Sequence, residues 1–108
     1  MKNIKFIGSA LTDLRSFPDD ARSEAGYALR DVQKGLEPKD WKPMKSIGVG
    51  VREIRLKDEQ GIFRVVYVTK YLDRVLVLHA FKKKTEKTAK KDLDIAKQRL
   101  KTILRGIK

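Results

Sequence analysis

The side chains able to do chemistry in this 108-residue chain are nearly all cations. Arg55 and Arg64 fall in two β-type runs joined by Asp58-Glu59-Gln60-Gly61, and Lys82, Lys83 and Lys84 close a third run. Adjacent antiparallel strands lie about 5 Å apart, so these side chains converge on one phosphate if the register allows. Guanidinium grips phosphate bidentately, and charge held in a preorganised site stabilises a pentavalent phosphorane. RNA brings its own nucleophile, the 2′-hydroxyl. A cleaving protein then has only to orient it, withdraw its proton and stabilise charge. A desolvated lysine among other cations has a lowered pKa and can be the base. The plainer alternative is that these are outward-facing surface charges. Arg64 carries the same choice, because it interrupts an apolar run and either pairs with Glu53 on the neighbouring strand or binds a scissile phosphate. His79, between Leu78 and Ala80, reads as a hydrogen-bonded core histidine or as a general acid or base at the edge of the site.

Other chemistries lack parts. The chain has no Cys and one His, which excludes disulfides, Cys-based zinc sites and multi-His metal sites, so no metal is expected. Gly48-Val49-Gly50 leads into a strand and not a helix, so it is no phosphate loop. One His supports no Ser-His-Asp triad, and nothing brings Glu53 and Glu59 together as a carboxylate pair. No cofactor is expected. No apolar run approaches the roughly 20 residues of a membrane span, and Met1-Lys2-Asn3-Ile4-Lys5 does not resemble a signal peptide. The expected compartment is the cytoplasm, with no membrane partner.

The charge balance points to a polyanionic partner. Lys and Arg number 26 against 14 Asp and Glu, a net +12. Residues 1–48 hold 9 basic and 7 acidic side chains, whereas residues 49–108 hold 17 and 7. The excess peaks in residues 82–91, where Lys82, Lys83, Lys84, Lys87, Lys90 and Lys91 stand against Glu86 alone. A patch of this kind favours nucleic acid or the ribosome, because each neutralised phosphate releases condensed counterions. With Arg52, these lysines are the expected RNA or ribosome contacts. A solubilising surface is the alternative.

The elements that must position these groups are legible in outline. Lys5-Phe6-Ile7 and its neighbours suit a short first strand, and Ser9 to Arg15 a helical turn. Pro18-Asp19-Asp20 suits a helix start. Ala21, Ala25, Ala28, Leu29 and Val32 continue at helical spacing to about Lys34, with Gly35 to close. Leu36 to Gly48, with Pro38 and Pro43, reads as a loop. Trp41 within it is either an anchor on the core or a base-stacking platform. Val49–Lys57, Phe63–Val68 and Val75–Phe81 read as three strands of an antiparallel meander, the last apolar on both faces and so central. Thr88 is the expected N-cap of a final helix whose apolar stripe is Leu93, Ala96, Leu100, Ile103 and Leu104. The expectation is one domain over residues 1–108. Its class is α+β: an N-terminal strand and helices packed on a mainly antiparallel sheet, with a C-terminal helix.

In this order the chain resembles the RelE/ParE toxin superfamily of type II toxin–antitoxin modules, and most closely its HigB-like, phage-derived branch. The resemblance rests on Phe17-Pro18-x-x-Ala21-Arg22, Ala25-Gly26, Val32-Gln33-x-Gly35, Trp41-Lys42-Pro43-Met44, Ile47-Gly48-x-Gly50-Val51-x-Glu53-Ile54-Arg55, Phe63-Arg64-Val65, and Val77-Leu78-His79-Ala80-Phe81-Lys82-Lys83-Lys84-Thr85-x-Lys87-Thr88. It implies a ribosome-dependent endoribonuclease that cuts translated mRNA, held silent by a cognate antitoxin of helix-turn-helix type, with operator DNA reached only through that antitoxin. By the same resemblance Arg55 and Lys84 match basic positions and Arg64 the phosphate-stabilising arginine. Glu53 stands where RelE carries a second basic residue, and the C-terminal tyrosine of RelE has no counterpart, so His79, Lys82 and Lys83 compete for the base. ParE-type relatives poison DNA gyrase without cutting RNA, which leaves a gyrase poison and a plain RNA-binding module as the alternatives.

Overall fold

The computed structural model describes residues 1–84 and 87–107. The elements run β1 (Asn3–Phe6), α1 (Ala10–Arg15), α2 (Asp19–Gln33), β2 (Trp41–Pro43), β3 (Val51–Asp58), β4 (Gly61–Val68), β5 (Arg74–Lys83) and α3 (Lys90–Gly106). One five-stranded sheet has the order β1-β5-β4-β3-β2. The β3-β4-β5 meander and β2 are antiparallel, and β1 alone runs parallel to its neighbour, β5. The class is the expected α+β, with α1 and α2 on one face and α3 on the other.

Each face has its own apolar layer. Ile54, Leu56, Phe63, Val65, Tyr67, Val75 and Val77 pack under Ala10, Leu14, Ala21, Ala25 and Leu29 of the N-terminal helices and Phe17 between them. Val51, Val66, Val68, Leu76 and Leu78 pack under Ala96 and Leu100 of α3. The β4 and β5 runs are apolar at nearly every position because both of their faces are covered.

Local chemistry sets the boundaries. Pro18 sits at the N-cap of α2, one place before the first helical residue, and Gly35 closes the helix at φ +84°. In the β3–β4 turn the Asp58 carboxylate accepts the Gln60 amide at 2.7 Å. Two expectations need correction. The Leu36–Gly48 segment is not all loop, because Trp41–Pro43 pairs with Arg52–Ile54 as a short edge strand. Pro43 is tolerated there as the last residue of an edge. Thr88 is not the N-cap of α3. That place falls to Ala89, while the Thr88 hydroxyl reaches across to Glu53.

One irregularity positions the site. Val66 pairs with His79 but Tyr67 with Val77, which leaves Leu78 as the extra residue of a β-bulge. Strict alternation would put Leu76 and Leu78 on the face opposite to His79 and Phe81. The bulge changes the phase, so all four face α3.

Candidate functional site

On the α3 face the register arranges side chains in ranks. Lys42, Glu53, Val66 and His79 form one rank, each the partner of the next. Arg55, Arg64 and Phe81 form the second, and Lys57, Ile62 and Lys83 the third. The body of α3 covers the sheet beyond the first rank, and its N-terminal approach reaches the first. The second and third stay open at their β3 side.

Glu53 lies at the centre and is fully buried, an unusual place for a carboxylate. Its Oε1 is 3.2 Å from Arg64 Nε, although the two are not aligned as a hydrogen bond. Its Oε2 accepts the Thr88 hydroxyl at 3.0 Å. Arg64 is 5% exposed and donates from Nη1 to its neighbour's carbonyl, Phe63 O, at 3.1 Å. Burial lowers the Arg64 pKa, Glu53 opposes that shift, and the Arg55 charge reinforces it. Arg55 is directly opposite Arg64, is exposed, and lies 3.8 Å from Asp40. Two guanidinium groups side by side repel each other, and an anion between them removes that cost.

Lys83 joins this cluster from β5. Its pKa is lowered, first by loss of solvent, then by the Arg64 charge. Glu53 acts the other way, and Lys42 and Arg55 add to the lowering. Lys84 is exposed just past the end of β5. The structure thus brings Arg55, Arg64 and Lys83 together, with Lys84 next in the chain.

The remaining sequence candidates are placed apart from these. His79 is buried, with Nε2 at 2.8 Å from Asp92 Oδ1 and its ring stacked on Phe81 at 4.8 Å. Arg52 is on the opposite face, its guanidinium 4.0 Å from the Trp41 ring centroid and 3.6 Å from Glu37. Trp41 is half-buried and already stacked by that arginine. Lys82 also points to the opposite face, 6.0 Å from the Phe63 ring. Lys87 and Lys91 are exposed near the start of α3, and Lys90 lies 3.4 Å from Asp94. Thr85 of the sequence motif, and Glu86 of the lysine-rich run, lie outside the described residues. Among the described residues no group of His, Cys, Asp or Glu is arranged to hold a metal, and no helix is long and apolar enough to cross a membrane.

Sequence reasoning missed Lys42 and Asp92. Lys42 is within an apparent loop, and Asp92 is one acid in a charged helix start. Neither has a local signal, since only the pairing of β2 and the docking of α3 give them a role.

With this fold and cationic sheet face in view, the sequence comparison defines the class. Residues 12–101 match the phage-derived Gp49-like protein family (DUF891), and the chain belongs to it. This is a type II toxin family related to RelE/HigB-like toxins, consistent with a toxin of a toxin–antitoxin module and with a cognate antitoxin as partner. No curated protein matches the sequence.

Proposed function

We propose that this chain is a ribosome-dependent endoribonuclease, the toxin of its module, cutting translated mRNA by attack of a ribose 2′-hydroxyl on the adjacent phosphate. The observation that carries this reading is the cross-strand pair Arg55–Arg64 with Lys83 beside it. In this scheme the two guanidinium groups grip the scissile phosphate and neutralise the charge that develops on its oxygens. Neutral Lys83 takes the 2′-hydroxyl proton. The 2′-oxygen–phosphorus bond forms, the bond from phosphorus to O5′ breaks, and O5′ takes a proton from water or the Lys84 ammonium. The products are a 2′,3′-cyclic phosphate and a 5′-hydroxyl. His79 is held under Phe81 by Asp92 and serves the fold. Lys87, Lys90 and Lys91 supply long-range attraction to RNA.

The test is primer extension on mRNA from programmed ribosomes incubated with the protein. Cuts within the translated frame are expected, and they disappear in an Arg55→Ala variant that melts like the parent. Intact mRNA together with gyrase-dependent DNA breaks would replace this reading by that of a gyrase poison.

A further inference from the structure

The outer edge of β5 is only half used. β1 covers Arg74–Val77, and the Arg99 guanidinium donates to the Leu78 carbonyl at 2.8 Å. From His79 to Lys83 no strand among the described residues pairs with that edge. A cavity of about 570 Å³ follows it, and residues from both faces of the strand line it. Phe63, Phe81 and Ile95 supply apolar wall, and Lys82, Lys83, Lys84 and Lys91 supply charge. Two carboxylates also line it, and both are engaged: Asp13 accepts the Ser9 hydroxyl at 2.7 Å and Asp92 holds His79. His79 belongs to the lining too, and its Nδ1 is buried with no hydrogen-bond partner among the described residues.

We propose that this cavity along the open edge of β5 binds one nucleotide of an RNA strand, taking the base against its apolar wall and the phosphate on its lysines. An unpaired strand edge offers backbone donors and acceptors that match the edge of a base. Lysines at the rim meet the phosphate as point charges. The cavity adjoins the phosphate site: Lys83 lines it, and Phe81 stands directly opposite Arg64. One strand spacing, about 5 Å, separates the two, so a nucleotide neighbouring the scissile phosphate reaches it. An extended acidic peptide is the competing occupant of an open edge. The nucleotide is favoured by an apolar wall wide enough for a base beside the lysines, and by the adjoining cationic site, from which the same strand would extend. The assignment to the substrate strand rests on the nuclease reading above.

The experiment is fluorescence anisotropy with a labelled hexaribonucleotide whose single abasic position is walked along the strand. One abasic position is expected to weaken binding about tenfold, the scale of one base contact. Ala89→Trp, at an exposed position of the lining, fills the cavity and should abolish that dependence while melting like the parent. It should also raise KM for ribosome-bound mRNA with kcat unchanged. Competition by a nucleoside monophosphate as strong as that of the hexanucleotide would support the pocket and identify a free nucleotide as its ligand. Equal affinities at every abasic position would overturn it, as would an acidic peptide whose binding Ala89→Trp blocks while the abasic walk stays flat. Cleavage with a flat walk refutes the pocket and keeps the nuclease. A position-dependent walk without cleavage does the reverse.

Discussion

Removing Arg64 has two consequences that a single substitution confuses. The residue is 5% exposed, and its Nε is 3.2 Å from a carboxylate that is fully buried. Arg64→Ala removes the guanidinium beside Glu53, so a buried carboxylate loses its close counter-ion. Breaking such a pair typically costs about 3–5 kcal/mol. At roughly 4 °C or more per kcal/mol for a domain of this size, the melting temperature should fall by at least about 12 °C. Lost activity in that variant therefore says little about catalysis. The Glu53→Gln, Arg64→Met pair removes both charges while keeping volume and an acceptor for Thr88. It should recover most of the lost stability, since a buried ion pair is often matched by neutral residues of similar size. Its mRNA cleavage should still be down roughly 100–1000-fold, the cost of losing a preorganised contact to developing charge. Melting curves and single-turnover cleavage on programmed ribosomes, run on the parent, both single variants and the double, complete the cycle. A double variant as unstable as the sum of the singles would refute the pairing argument. One that is stable and cuts at the parental rate would remove Arg64 from the chemistry.

Further expectations follow from the same geometry. If Lys83 is the base, the cleavage rate should rise with pH and level off below the ordinary lysine range, because lost solvent and the Arg64 charge disfavour its ammonium form. Glu53→Gln removes an anion that favours the ammonium, so the rise should move to lower pH; a profile that does not move would argue against Lys83. Thr88→Val cuts the hydrogen bond that ties the lysine-rich segment to Glu53, and should lower stability by about 1 kcal/mol while weakening ribosome binding, read by melting and pelleting with ribosomes. His79→Gln should lower stability by about 1–3 kcal/mol through loss of the Asp92 contact, read as a lower melting temperature, with cleavage by the remaining folded protein near parental. A His79→Gln protein that melts normally and fails to cut would return His79 to the active site.

Much of the frame was legible along the chain. Ala21, Ala25, Leu29 and Val32 recur every three or four residues, and the Pro18 and Gly35 punctuation brackets them, so α2 follows from helix geometry. The meander follows from β-branched runs joined by Gly61 and by the Tyr71–Asp73 turn, where Leu72 and Asp73 do take positive φ. The cationic excess of residues 49–108, and the placing of Arg55 and Arg64 on neighbouring strands within it, needed no tertiary information. Alternation along β3 also put Glu53 with Arg55 and Lys57, a group that by itself looks like a solvated face.

Tertiary structure decided which of these charges are buried and which share a space. Glu53 becomes a core anion only because the approach to α3 folds over the first rank and brings Thr88 from 35 positions away. The bulge at Leu78 decides that His79 and Phe81 face α3. It leaves no trace in a strand that is apolar on both sides, since a one-residue phase change exchanges one apolar side chain for another. Lys83 is set apart from Lys82 and Lys84 by strand alternation and by its position beside Arg64, and three identical residues in a row carry no such distinction. Sequence fixes the periodicity and the charge because those are properties of neighbours along the chain. Register and the docking of α3 depend on contacts between distant residues, and they select a few cations from 26.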